Sequence, residues 1–119
     1  MSIPMDTSWV LGKTEESIYP LLRNLVGAVV GLPPYRARCQ VMPNACFRSV
    51  EVDIGDDDLL ELTLRLERIF GLQGSFPVPG LSDRVGEWIA CVHECLHRHQ
   101  ISDARARDLL VQHFERERP

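Results

Sequence analysis

The chain has 119 residues, 45% of them hydrophobic and 25% charged, with a formal net charge of -4. That length and balance suit one globular domain around one core and exclude a disordered chain. The mild acidity leaves no electrostatic footprint for nucleic acid, and no apolar run approaches the ~20 residues needed to span a bilayer.

Met1 to Gly12 lacks the basic start and apolar stretch of a secretory signal, so the cytoplasm is the expected location. Cys39, Cys46, Cys91 and Cys95 are then expected to be reduced and mostly buried.

In chain order, residues 1–13 read as an irregular N-terminal segment, and residues 14–119 as a single helical domain. The first helix is expected to start near Thr14 or Ser17, provided that Pro20 falls in its first turn. Leu21, Leu22, Leu25, Val26 and Val29 recur at helical spacing, until Gly31 and the Pro33–Pro34 pair stop the helix. Residues 33–55 read as a long connection without a strand.

The second helix, from about Asp57 to Phe70, ends at Gly71 and puts Leu59, Leu62, Leu66, Ile69 and Phe70 on one core face. Glu61, Arg65 and Arg68 lie opposite, and Leu60 and Leu64 form a second apolar pair on the flank. Residues 71–81, rich in proline and glycine, read as a loop. A third helix opens at Ser82, with Val85, Trp88, Ile89, Val92 and Leu96 inward. A last helix opens at Ser102, with Ala106, Leu109, Leu110 and Phe114 on one side.

The order of these features resembles the acyl carrier protein family over residues 15–96. Asn44-Ala45-Cys46-Phe47 is similar to the apolar anchor of the family's first loop. Asp53-Ile54-Gly55-Asp56-Asp57-Asp58-Leu59 is similar to its Asp-Leu-Gly-x-Asp-Ser-Leu signature with the serine absent. The Phe70-Gly71 helix end and Val85-Gly86-Glu87-Trp88-Ile89 complete the pattern. The chain also resembles a set of bacterial carrier-like proteins in which Gly-Asp-Asp replaces Asp-Ser-Leu.

The resemblance implies an all-α, acyl-carrier-protein-like four-helix bundle, here with an extra C-terminal helix. The phosphopantetheine attachment position falls on Asp58 counting forward from Gly55, or on Asp56 counting back from Phe70. The second register is preferred because helix spacing is rigid. A carboxylate cannot serve as the acceptor hydroxyl, so no cofactor is expected. Ser49, the nearest upstream hydroxyl, lacks the family's surroundings.

In that register the family presents to partner enzymes the positions held here by Leu60 and Leu64, rimmed by Asp58 and Glu61. Arg65 and Arg68 depart from the family's acidic helix. The expectation is a non-enzymatic interaction or regulatory module that docks a protein partner through Asp58, Leu60, Glu61, Leu64, Arg65 and Arg68, linked to fatty-acid or polyketide metabolism. The bland alternative has Leu60 and Leu64 covered by the last helix. A working carrier modified at an unrecognised site is a second alternative.

A small metal-binding protein is the third. Cys91/Cys95 and His93/His97 are both i,i+4 pairs, the spacing at which two ligands on a helix meet one ion. They face different sides, because residues two apart diverge by ~200°. Cys91, Cys95 and His99 share a side and form the candidate metal set, weighed against packed cysteines and exposed histidines.

Overall fold

The computed structural model describes residues 18–117. Among them are five α-helices and no strand: α1 Tyr19–Val29, α2 Pro34–Gln40, α3 Asp56–Phe70, α4 Val85–Arg98 and α5 Asp103–Glu117, with a 3-10 turn at Phe47–Ser49. The all-helical expectation holds. No helix among the described residues is long and apolar enough to cross a membrane. The expected irregular segment 1–13 and the helix start at Thr14 or Ser17 lie outside the described residues.

Within the described residues α1 begins at Tyr19, with Pro20 in its first turn, where the missing N–H costs no helical bond. Leu22, Leu25 and Val26 carry its buried face. It packs against α2, α3 and α5. The approach to α2 is close at one point: a Cβ on Gly27 would stand 2.7 Å from that of Ala37. Only glycine lets the two backbones meet there.

The connection 33–55 carries no strand, as expected, and holds α2 and the 3-10 turn as inserted structure. Pro34 opens α2, and of its seven residues only Ala37 is buried. The helix read as opening at Ser82 begins at Val85. Before it, the Asp83 carboxylate accepts a hydrogen bond of 2.7 Å from the Gly80 N–H, closing a turn.

The long connection is tied to that turn. Phe47 N–H donates to Asp83 O at 3.0 Å, Arg48 N–H to Leu81 O at 3.0 Å and Val85 N–H to Ala45 O at 2.9 Å. Phe47 is fully buried, edge-on to Trp88 with ring centroids 5.6 Å apart. Buried residues from all five helices and both connections form one cluster. Thr63 is buried as well, and its hydroxyl donates to Leu59 O at 3.0 Å.

Candidate functional site

Gly55 caps α3, and Asp56, Asp57 and Asp58 fill its first turn, where carboxylates favour the positive end of the helix. Asp58 Oδ2 accepts the Gly55 N–H at 3.0 Å, and the Asp58 N–H donates to Gly55 O at the same distance. Asp58 is therefore engaged in starting the helix, whereas Asp56 stands exposed at the first helical residue. Ser49 is exposed at the end of the 3-10 turn.

Along α3, Leu59, Leu62 and Leu66 are at most 1% exposed, while Leu60 and Leu64 are 49% and 39% exposed. The alternative that the last helix covers this pair fails. Helix α5 packs on α3 and α1 and sends Ala106 and Leu110 into the core, with Leu109 and Phe114 partly buried against it. Leu60 and Leu64 remain at the surface.

Beside the leucines, Glu61 Oε2 accepts from Arg65 Nε at 2.9 Å and from Arg68 Nη2 at 3.2 Å. The Arg65 hydrogen bond above all, helped by Arg68, holds the Glu61 carboxyl below the usual carboxylate range. These groups are solvated, so their pairing adds little to stability. It does fix where these charges stand, with two guanidiniums sharing one carboxylate.

Two open depressions border it. One, between α3 and α5, is lined by Glu61, Arg65, Arg68, Ile69, His113 and Arg116. There burial pushes the His113 imidazole below its ordinary pKa. Glu117 opposes the shift, and Arg65, Arg116 and Arg68 reinforce it. The other, at the C-terminal end of α3, is lined by Leu64, Glu67, Arg68, Gly71 and Gln73.

The four thiols are free. They are not mostly buried as expected: Cys95 is, but Cys39 and Cys91 are exposed and Cys46 is half-buried. The candidate set Cys91, Cys95 and His99 is not drawn to one point. Cys95 Sγ donates to Ser75 O at 3.3 Å and lies 3.8 Å from His99 Nδ1, which itself sits 2.9 Å from Cys95 O. Cys91 lines a separate depression with Pro77, Val78 and Trp88.

A different trio converges. His93 Nε2 and His97 Nε2 lie 2.8 and 2.9 Å from the same atom, Asp103 Oδ1. The two rings are 4.2 Å apart between centroids. The i,i+4 spacing puts both imidazoles on one face of α4, but the carboxylate comes from α5, and no sequence spacing carries its meeting with them.

The turn between the helices makes that meeting. Helix α4 ends with Ile101 N–H donating to Leu96 O at 2.9 Å and Gln100 N–H to His97 O at 3.0 Å. This is the paired closure of a left-handed helix cap. Gln100 takes the left-handed conformation, φ 62°, where glycine is the usual occupant. The chain then reverses, and the Ser102 hydroxyl accepts the Arg105 N–H at 3.2 Å to start α5. Gln100→Gly removes the Cβ penalty and is expected to raise stability by about 1 kcal/mol in urea unfolding. No gain would mean that the turn is unstrained.

No family model, no curated protein and no solved structure matches this chain.

Proposed function

We propose that the chain is a non-enzymatic, cytoplasmic interaction module on a carrier-like helical scaffold, and that it docks a protein partner on the flank of α3. The observation that carries the reading is the exposed pair Leu60 and Leu64, one turn apart beside a fully buried stripe. Fully burying a leucine is worth roughly 1.5–3 kcal/mol, so two of them offer a partner an apolar centre with real affinity. Glu61, Arg65 and Arg68 form the rim, and Asp58 stands at its upstream end. The rim carries both signs, Asp58 and Glu61 beside Arg65 and Arg68, and such rim charges set steering and specificity. The link to fatty-acid or polyketide metabolism rests on the resemblance to acyl carrier proteins. Asp56 at the attachment position has no hydroxyl for phosphopantetheine, so the scaffold serves contact rather than cargo.

A photo-crosslinking residue placed at position 60 or 64 in living cells tests this. A discrete protein adduct is expected from both positions. None is expected from position 52, where Val52 is 91% exposed on a connecting loop and serves as an apolar control. Equal adducts from all three positions, or none from 60 and 64, would overturn the docking surface. The intact mass after co-expression with a broad phosphopantetheinyl transferase is expected to stay unchanged. A gain of one pantetheine arm that disappears in Ser49→Ala would establish a working carrier instead.

A further inference from the structure

We propose that His93, His97 and Asp103 form a binding site for a divalent transition-metal ion of the zinc type. The three side chains supply two imidazole nitrogens and one carboxylate oxygen, and these atoms lie within 4.8 Å of one another. Among the described residues no other set of three histidine, cysteine or acidic side chains converges in this way.

The donor set decides the class of ion. Imidazole with carboxylate suits zinc and its first-row neighbours, whereas calcium and magnesium take oxygen donors alone. Zinc holds its ligands at about 2.0–2.2 Å, which places tetrahedral donor atoms ~3.3 Å apart. The Nε2 atoms stand 2.8 and 2.9 Å from Asp103 Oδ1, so each contact opens by a few tenths of an ångström to admit the ion. The side chains have room for this: His97 is half exposed and Asp103 more than a third exposed.

Three protein ligands leave a coordination position for water, as in open zinc sites. An open depression lined by His97, Gln100, Ile101, Ser102, Asp103 and Ala104 adjoins the trio and admits that water. The placement is rigid on both sides. The imidazoles project from the last two turns of α4, and the carboxylate stands on the first residue of α5, held by the cap at Gln100. Without the ion, the same atoms join α4 to α5 through two hydrogen bonds to one carboxylate oxygen. With it, each neutral ring carries its proton on Nδ1 and Nε2 presents its lone pair to the metal, so the ion replaces the two hydrogen bonds to Asp103.

Zinc chloride titrated calorimetrically into the full chain bearing Cys39→Ser and Cys91→Ser tests the site free of exposed thiols. One ion per chain is expected, together with a rise in melting temperature. His97→Ala and Asp103→Asn are each expected to weaken binding at least about tenfold, since even outer-shell partners of metal ligands are worth that much. His99→Ala, outside the trio, is expected to leave the affinity unchanged. Circular dichroism confirms that each variant is folded, and His97→Gln replaces His97→Ala if the latter is not. The site is overturned if zinc does not bind the Cys39→Ser/Cys91→Ser chain, if the His97 and Asp103 variants bind as that parent does, or if His99→Ala causes the loss.

Discussion

Truncating Leu62 and Leu66 together to alanine is expected to unfold the chain, whereas truncating Leu60 and Leu64 together is expected to leave it folded. Leu62 and Leu66 are at most 1% exposed and sit in the centre of the common cluster. Each buried leucine cut to alanine loses its transfer free energy and leaves a cavity, at about 2–5 kcal/mol per site. Two of them cost about 4–10 kcal/mol, against a total stability of about 5–15 kcal/mol for a domain of ordinary size.

Leu60 and Leu64 are 49% and 39% exposed. Their truncation forfeits only the buried part, about 1 kcal/mol each, and opens no internal cavity. Thermal and urea unfolding of the two double variants, followed by circular dichroism, makes the comparison directly. Equal collapse of both would mean that the α3 flank is core, and the docking reading would lose its physical basis. A folded Leu60→Ala/Leu64→Ala chain is also the reagent for the partner experiment, because a lost adduct could then not be blamed on unfolding.

Phe47→Ala is expected to cost about 3–5 kcal/mol, the range for deleting a buried aromatic ring. The effect is large for a residue in a connection because Phe47 is fully buried against the edge of Trp88. Its backbone is held as well, with the N–H donating to Asp83 O at 3.0 Å. Trp88 is pinned in turn through Nε1–H, which donates to Pro77 O at 3.2 Å. The ring of Phe47 thus joins the first connection to α4 and to the turn preceding it.

Urea unfolding of Phe47→Ala and Phe47→Leu separates volume from contact. Leucine keeps much of the volume and is expected to recover a large part of the loss. A change below about 0.5 kcal/mol in Phe47→Ala, the size typical of surface substitutions, would show that the connection contributes nothing to the core.

Some of this architecture was legible in the sequence because local rules settle it. The stripe Leu59, Leu62, Leu66, Ile69 and Phe70 follows the helical period; four of the five are buried, and Ile69 is partly buried against the same cluster. Gly71 marks the end of α3 because its φ of 68° suits glycine, and its N–H closes on Glu67 O at 2.8 Å. The off-stripe position of Leu60 and Leu64 followed from the same geometry. What periodicity left open was whether another helix covers them, and the course of α5 decided that.

Where no local rule applies, only the tertiary structure decided. Helix α2 has no periodic signature in the sequence, because one buried alanine in seven residues makes no stripe. Ala37 packs closely on Gly27 of α1, a contact between two helices that the pattern of neither one carries. The burial of Cys95 and the exposure of Cys91, one turn apart on the same helix, depend on what packs over each.

The meeting of His93 and His97 with Asp103 has the same origin. Helical spacing placed the two imidazoles side by side, but the carboxylate reaches them only because the chain reverses through a left-handed Gln100, a conformation that no local preference of glutamine announces. Side chains on one helix are related by a fixed rotation per residue, which the sequence carries. Side chains on two helices are related by a turn and a packing angle, which only the folded chain contains.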